Sequence, residues 1–285
     1  MNFDNKFYAF VDQALSEDIG NGDHSTLSCI PADAKGKAKL KIKQAGVLAG
    51  VEVAEKIFLY KDPSASIQKF KSDGDQVNIG DVAFEVQASV HTILQCERLV
   101  LNCMQRMSGI ATLTSEYVNK IKGTKTKLLD TRKTTPNFRL LEKEAVRIGG
   151  GVNHRFGLYD MIMLKDNHID YCGGIELAIE KAVAYAKGKN LKIEVEARSL
   201  EDVEKIIQVG QGKVFRIMLD NFDPATIKKA LALIQGKGFE TEASGGINLE
   251  NILSYAETGV DYISVGALIH QAKSIDLSLK AIVIK

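Results

Sequence analysis

Short apolar runs alternate with helical stretches through the second half of the chain, and this rhythm constrains the fold more than any other feature. The apolar runs predict strands over residues 127–130, 161–164, 191–195, 214–219, 239–243 and 262–265. Helical patterns separate them over residues 139–148, 174–187, 200–209, 224–235 and 249–257. Strands of this buried type, each followed by a helix, are typical of a parallel sheet covered on both faces. The sequence therefore predicts an α/β fold, either a barrel or an open doubly wound sheet.

Polar or glycine residues follow each apolar run, and their distribution distinguishes the two architectures. The segments at these ends are Asp130-Thr131-Arg132-Lys133, Lys165-Asp166-Asn167-His168, Glu196, Asp220-Asn221, Ser244-Gly245-Gly246 and Gly266. An open sheet concentrates its ligand contacts at one switch point, whereas a barrel gathers all carboxyl ends of its strands around one mouth. Because polar or glycine residues follow every apolar run, the pattern favours a barrel. The six predicted strands are fewer than the eight of a complete barrel.

The first hundred residues lack the alternating rhythm. Helical spacing over residues 2–17 and 51–60 and alternation over residues 36–44 and 81–88 predict a small layer of helices and strands. A long helical pattern then covers residues 91–122, with an interruption expected at Ser108-Gly109 because glycine disfavours a helix interior.

Composition excludes several classes of protein. The 285 residues include 37 Lys+Arg and 36 Asp+Glu, giving a net charge of +1, so a nucleic-acid or membrane-surface binder is not expected. The chain has no apolar run of about 18 residues and no basic, apolar leader pattern, which predicts a cytoplasmic location. Its four cysteines form no CxxC pair and are expected to be buried free thiols.

Five basic side chains follow the strands or lie in the glycine-rich segment 149–155: Arg132, Lys133, His154, Arg155 and Lys165. In a barrel they would converge on one mouth, where each like-charge pair about 4 Å apart costs about 4 kcal/mol at an effective dielectric constant of about 20. Such a cluster requires an anion. Arginine binds carboxylates and phosphates through two parallel hydrogen bonds and lysine acts as a point charge, so the mixture fits a ligand with both groups.

Two carboxylates, Glu196 and Asp220, follow successive strands. They could hold Mg²⁺ together with a pyrophosphate, bind ribose hydroxyls, or stabilise positive charge developing on a sugar. They could equally be internal partners of nearby lysines and arginines. Ser244-Gly245-Gly246 and Gly266 precede helices late in the series, where barrels commonly bind phosphate, although an ordinary helix-entry turn has the same sequence.

The chain resembles the quinolinate phosphoribosyltransferase family over nearly its whole length. Ordered segments carry the resemblance: Glu17 to Asp23 with Ser25-Thr26, Glu97-Arg98-Leu99 with Leu101-Asn102, Ser108 to Thr112, Asp130 to Pro136, Gly149 to Arg155, Leu164 to His168, Glu194-Val195-Glu196, Leu219-Asp220-Asn221, Ser244-Gly245-Gly246, and Glu257 to Asp261 leading to Val265-Gly266-Ala267-Leu268. Each segment alone is a common string, but ten in order are highly specific.

The resemblance implies an N-terminal open-faced α/β sandwich and a C-terminal incomplete, seven-stranded α/β barrel. The expected domains are residues 1–104, with segment 271–285 packing on them, and residues 105–270; the last helix is expected to pack back on the first domain. Family members are homodimers with shared active sites, in which the N-terminal domain of one subunit covers the barrel mouth of the other.

The family's reaction joins quinolinate to phosphoribosyl pyrophosphate with Mg²⁺ present, giving nicotinate mononucleotide, pyrophosphate and CO₂ in NAD biosynthesis. The resemblance implies that both carboxylates of quinolinate bind Arg132, His154, Arg155 and the partner's Arg98. Lys133 and Lys165 are expected between quinolinate and pyrophosphate, as catalytic residues. Glu196 and Asp220 are expected to meet the ribose and its metal. The residues expected around the 5′-phosphate are Ser244, Gly245, Gly266 and His270.

Three other functions are compatible with the same residues. Lys165 or Lys133 could form a Schiff base, as in aldolases. A barrel of this kind could also bind phosphate without catalysis. Finally, the same fold could act on another substrate, as in the molybdenum-transport-associated relatives of the family.

Overall fold

A computed structural model describes residues 3–282, which form eleven helices and twelve strands. The helices are α1 (Phe3–Ile19), α2 (His24–Cys29), α3 (Val51–Lys61), α4 (Val90–Lys120), α5 (Arg139–Ile148), α6 (Asp166–Cys172), α7 (Ile175–Ala186), α8 (Leu200–Gly210), α9 (Pro224–Ile234), α10 (Ile252–Ala256) and α11 (Ala267–His270). The strands are β1 (Lys35–Ile42), β2 (Gly46–Val47), β3 (Ser66–Lys69), β4 (Gln76–Val77), β5 (Val82–Ser89), β6 (Lys127–Leu129), β7 (Ile162–Leu164), β8 (Ile193–Ala197), β9 (Arg216–Asp220), β10 (Glu240–Ser244), β11 (Tyr262–Ser264) and β12 (Leu277–Ala281).

These elements divide into two units. Among the described residues, unit 1 consists of residues 3–115, 134–150 and 268–282, and unit 2 of residues 116–133 and 151–267. The domains expected from the sequence have different bounds, since α5 groups with unit 1 and α4 continues past residue 104. Residues 1, 2 and 283–285, which the sequence-based division includes, lie outside the described residues.

Unit 1 contains a four-stranded antiparallel sheet with the order β12-β1-β5-β3. Strand β1 alternates from Ala38 onward, because Ala38, Leu40 and Ile42 are buried while the two lysines between them are partly exposed. Leu40 lies opposite Phe84 of β5 on one side and Leu279 of β12 on the other. One face of the sheet therefore carries the core, as an open-faced sandwich requires. The segment that joins this sheet near the C-terminus is strand β12, and the last described helix, α11, precedes it.

Helix α4 runs without interruption, so the break expected at Ser108-Gly109 is wrong. The hydroxyl of Ser108 accepts the N–H of Ala49 over 2.9 Å and donates to the carbonyl of the same residue over 3.1 Å. A Cβ on Gly109 would overlap the carbonyl oxygen of Lys273. Both small residues are thus explained by close approach of other backbone segments of unit 1, which outweighs the low helix propensity of glycine.

Unit 2 contains a parallel six-stranded sheet with the order β6-β11-β10-β9-β8-β7. All five residues of β8 are buried, as expected for a strand with both faces covered. Val152 forms a parallel bridge to Leu129 of β6, which adds a seventh strand-like segment beside the sheet. The family resemblance implies a barrel of seven strands. In the described residues, unit 2 has six strands in this sheet and one additional bridge at Val152.

The structure shows how far each of the four cysteines is buried. Cys96 and Cys103 are buried, and burial raises the pKa of each thiol to about 12, but Cys29 is exposed and Cys172 is partly exposed. The expectation of four buried thiols is therefore wrong for two of them.

Among residues 3–282, no helix is both long enough and apolar enough to cross a membrane.

Candidate active site

The carboxyl ends of the strands of unit 2 bring several predicted residues to one edge of the sheet. Asp220, the last residue of β9, lies directly opposite Ser244, the last residue of β10. Glu196 is the fourth residue of β8, the neighbour of β9 on its other side, and its register partner is Met218. The parallel register thus confirms that Glu196, Asp220 and Ser244 follow one another along the same edge.

Lys165 and Glu196 form a pair at this edge. The Lys165 ammonium lies 3.3 Å from one carboxylate oxygen of Glu196, and the backbone N–H of Asp166 donates to the other oxygen over 3.3 Å. Lys165 is also the N-cap residue of helix α6, where its backbone N–H donates to Nδ1 of His168 over 3.0 Å. The Lys165 side chain is 48% exposed and that of Glu196 only 5%, so the amine reaches solvent while the carboxylate is held below it.

The turn after β10 has backbone conformations that favour glycine. Gly245 and Gly246 have φ angles of +94° and +65°, in the left-handed region. A Cβ at Gly245 would overlap the side chain of Asn221, whose backbone N–H donates to the carbonyl of Ser244 over 2.7 Å. The amide of Asn221 in turn donates to the carboxylate of Asp220 over 2.6 Å. Residues that follow β9 and β10 therefore form one connected network.

The basic residues after β6 and in segment 151–155 approach one another in unit 2. Burial lowers the pKa of the Arg155 guanidinium, and the positive charge of Arg132 lowers it further. One terminal nitrogen of Arg155 donates to the carbonyl of Met161 over 3.1 Å. Lys133 is exposed, and its backbone N–H donates to the hydroxyl of Thr131 over 3.0 Å. Two arginines near one another in this part of unit 2 are compatible with a site that binds an anion.

His154 enters a buried cluster of charges below this edge. Its Nε2 lies 3.1 Å from Glu194 and 3.3 Å from Glu242, and both carboxylates are fully buried. Arg216 donates to Glu242 over 2.9 Å and lies 3.8 Å from Glu194. Its other side pairs with Glu240 over 2.9 Å. The backbone N–H of His154 donates to Asp130 over 2.8 Å.

The charges in this cluster shift one another's titration. Burial lowers the pKa of His154, and the N–H of Arg155, 2.6 Å from Nδ1, also favours the neutral ring. The carboxylates of Glu194 and Glu242 favour the cation and prevail, so the pKa of His154 lies above its ordinary value. Burial, together with the negative charge of Glu242, raises the pKa of Glu194 to about 7. His154 and Glu194 therefore retain protons at a pH where the isolated groups would release them, whereas His154 and Arg216 help to lower the pKa of Glu242.

The same cluster has the residue types of a metal site. Ligand atoms of His154, Glu194 and Glu242 lie within 4.8 Å of one another. However, the guanidinium of Arg216 already supplies positive charge to both carboxylates. A metal ion beside that guanidinium would meet strong repulsion in a poorly solvated interior. We therefore assign these residues to ion pairing.

Sequence reasoning missed Glu194, Arg216 and Glu242. A signal for them existed, because each is a charged residue within a strand of a parallel sheet, where both faces are usually covered. Glu194 is two residues before Glu196, and residues two apart on a strand share a face. Of the predicted site residues, ten belong to unit 2, including Gly266 after β11, whereas Arg98 and His270 belong to unit 1 and are exposed.

Comparison with known families accounts for both halves of the chain. Residues 23–108 match the model of the quinolinate phosphoribosyl transferase N-terminal domain. Residues 110–280 match the model of the quinolinate phosphoribosyl transferase C-terminal domain.

Individual proteins give the same result. A chloroplastic nicotinate-nucleotide pyrophosphorylase [carboxylating] of Arabidopsis thaliana is 44% identical over 287 residues, covering 95% of this chain and 82% of that protein. A probable nicotinate-nucleotide pyrophosphorylase [carboxylating] of Bacillus subtilis is 44% identical over 263 residues, covering 92% of this chain and 89% of that protein. The crystal structure of NadC from Streptococcus pyogenes is similar with a TM-score of 0.89 at 42% identity, over 96% of both chains.

Proposed function

This chain belongs to the quinolinate phosphoribosyltransferase family, and from that premise we propose that it joins quinolinate to phosphoribosyl pyrophosphate with loss of CO₂. The observation that carries the proposal is that both domain models of the family match, over residues 23–108 and 110–280. The products are nicotinate mononucleotide, pyrophosphate and CO₂, so the enzyme is a pentosyltransferase that serves NAD biosynthesis.

Binding of quinolinate falls to the basic residues. In the proposed complex its two carboxylates contact Arg132, His154 and Arg155, together with the partner's Arg98, because guanidinium groups hold carboxylates through paired hydrogen bonds. The lowered pKa of Arg155 supports this assignment, since its causes are burial and, after it, the nearby positive charge of Arg132. The homodimer with shared sites, which the partner's Arg98 presupposes, is part of the proposal.

Transfer of the sugar separates charge, because positive charge develops on the sugar while the pyrophosphate departs as an anion. Breaking the bond to pyrophosphate leaves positive charge on the sugar, which the carboxylates of Glu196 and Asp220 stabilise. Lys133 and Lys165 balance the charge of the departing pyrophosphate. The pyridine nitrogen then uses its lone pair to bond the anomeric carbon. No covalent enzyme nucleophile takes part, so catalysis consists mainly of positioning and electrostatics.

Decarboxylation follows from the new bond. The quaternary nitrogen withdraws electrons from the adjacent carbon, so the bond to its carboxylate breaks and CO₂ leaves. The electron pair stays on the ring carbon, which then takes a proton from solvent. The arginines that hold the carboxylates keep the ring in place while this occurs.

Mg²⁺ is the proposed cofactor, and the residues present fit it. Glu196 and Asp220 lie on neighbouring strands and offer two carboxylates, and Mg²⁺ in such sites uses one or two carboxylates with substrate phosphate and water. When bound, Mg²⁺ would neutralise charge on the pyrophosphate. Ser244, Gly245, Gly266 and His270 are the residues proposed to surround the 5′-phosphate.

A cytoplasmic location stays a prediction, and the Arabidopsis thaliana relative is named chloroplastic.

A Schiff-base mechanism is disfavoured, because it needs a neutral amine and the carboxylate of Glu196 lies 3.3 Å from the Lys165 ammonium.

The proposed function is tested by incubating the protein with quinolinate, phosphoribosyl pyrophosphate and Mg²⁺. Mass spectrometry should detect nicotinate mononucleotide and pyrophosphate, and nicotinate as the control acceptor should give far less product. A protein that binds phosphoribosyl pyrophosphate without releasing pyrophosphate would instead be a binding barrel. Borohydride trapping of a carbonyl substrate on Lys165 would indicate a lyase.

A further inference from the structure

Glu194, Glu242 and Arg216 have no role in the proposed reaction, although together with His154 they place four charged or titratable groups inside unit 2. Burial of Glu194 and Glu242 is complete, with no exposed side-chain surface. Burying a carboxylate is costly unless partners compensate, and replacing such a cluster by apolar residues is often neutral or stabilising. Stability alone therefore does not explain these residues.

The cluster lies directly beneath the candidate active site. Glu194 and Glu196 are on the same face of β8, about 7 Å apart along a strand that rises about 3.3 Å per residue. Glu196 meets Lys165 at the carboxyl edge, whereas Glu194 lies one layer deeper and meets His154. Glu242 likewise precedes Ser244 by two residues on β10. Each strand thus contributes one residue to the site and one to the layer below.

The imidazole of His154 is held by this lower layer. Nε2 lies 3.1 Å from Glu194 and 3.3 Å from Glu242, and Nδ1 accepts the backbone N–H of Arg155 over 2.6 Å. The tautomer that fits these contacts has its hydrogen on Nε2, the nitrogen nearest the carboxylates. The backbone on the same residue is fixed by Asp130, and Arg155 follows directly. The position of the ring is therefore set by Glu194 and Glu242 from below and by Asp130 from the chain.

We propose that Glu194 and Glu242 are positioning residues, which act through His154 to place the quinolinate-binding side of the site. This inference rests on the proposed function. It assigns the two carboxylates no contact with substrate, and it assigns Arg216 the task of keeping Glu242 charged and oriented. Loss of either carboxylate should release the imidazole and weaken binding of quinolinate, while binding of phosphoribosyl pyrophosphate changes little.

The test uses the full chain and compares Glu242→Gln and Glu194→Gln with Glu240→Gln. Glu240 is the matched control, because it pairs with the other side of Arg216 over 2.9 Å and is 35% exposed. We expect Glu242→Gln and Glu194→Gln to raise the KM for quinolinate about tenfold, with less than about a twofold change in the KM for phosphoribosyl pyrophosphate. Glu240→Gln should leave both constants within about twofold of wild type.

A double-mutant cycle separates positioning from a general structural role. In a His154→Ala background, Glu242→Gln should add less than about a twofold change to the KM for quinolinate, because the group through which it acts is gone. An undiminished effect in that background, or an equal effect of Glu240→Gln, would overturn the inference. If Glu242→Gln does not fold, Glu194→Gln supplies the same comparison.

The outcomes distinguish this inference from the proposed function. Wild-type protein that forms nicotinate mononucleotide, with Glu242→Gln and Glu194→Gln matching it in quinolinate KM, overturns the positioning role alone. Wild-type protein that forms no product overturns the proposed function and this inference with it.

Discussion

Arg132 and Lys165 are the individual residues on which the proposed reaction depends most. Arg132 approaches Arg155, and Lys165 pairs with Glu196 at the carboxyl edge of the sheet. We expect Arg132→Ala and Lys165→Ala each to lower kcat/KM by at least about tenfold, which corresponds to about 1.4 kcal/mol. Circular dichroism should show an unchanged fold. Turnover at the wild-type rate in either variant would contradict the assigned role.

The raised pKa of His154 predicts a dependence of stability on pH. Since the folded-state pKa exceeds the ordinary value of about 6.5, the stabilisation is complete below that value and is lost as pH rises through the folded-state pKa. We expect the free energy of unfolding to fall by about 1 kcal/mol or more between about pH 6 and pH 9. Urea denaturation of His154→Gln should show a smaller fall, and equal falls in both proteins would contradict the assignment.

Glu142 is a further buried carboxylate with a clear set of partners. It is fully buried in α5 and accepts hydrogen bonds from the Arg106 guanidinium over 3.0 Å and from the Thr135 backbone N–H over 2.7 Å. We expect Glu142→Gln to lower the free energy of unfolding by about 3 kcal/mol, because the guanidinium of Arg106, whose side chain is only 24% exposed, is left without its counter-charge. The exposed pair of Glu144 and Arg147 is the control, and Glu144→Gln should cost less than about 1 kcal/mol.

At the scale of elements, the packing of α4 predicts a change in stability opposite to the one that helix propensity predicts. Gly109→Ala should gain up to about 1 kcal/mol from propensity, but the added Cβ overlaps the carbonyl of Lys273. We therefore expect a net loss of about 1 to 3 kcal/mol, as for other overpacked sites, measured by urea denaturation. The exposed Glu116→Ala in the same helix should be nearly neutral. A more stable Gly109→Ala protein would show that the backbone contact yields easily.

Elements with a strong local pattern could be predicted from the sequence. Helix α5 spans Arg139–Ile148 as expected, because apolar residues recur at helical spacing and Gly149 follows. The continuity of α4 could not be predicted, since the partner that requires Gly109 is more than a hundred residues away. Strand β12 is missed for the same reason, because its pairing with β1 is a long-range contact.

Some features of the candidate site could be predicted from the sequence and others could not. The alternation of apolar runs and polar ends predicts which residues meet at the edge, and parallel register confirms it for Asp220 and Ser244. The contacts of His154 with Glu194 and Glu242 could not be predicted, because no spacing in the sequence indicates which strand interiors face one another. The roles of the predicted residues in binding stay predictions until substrates are tested.

At the scale of the whole molecule, the proposed homodimer with shared sites makes a quantitative prediction. When Arg98→Ala and Arg132→Ala chains are mixed with free subunit exchange, half of the dimers are hybrids and each hybrid has one intact site. Activity should therefore recover to about one quarter of the wild-type value, although each variant alone is nearly inactive. Mass spectrometry should confirm the hybrids first. Hybrids without recovered activity would mean that Arg98 serves its own subunit or neither.

The pairing of β12 with β1 has a consequence for synthesis of the chain. Strand β1 emerges from the ribosome early, but the neighbour that lies against Ala38, Leu40 and Ile42 is translated after every other strand described. Until then one edge of the first sheet offers unpaired backbone groups to any extended segment nearby. Nascent chains stalled short of Leu277 should consequently need chaperone protection that finished chains do not.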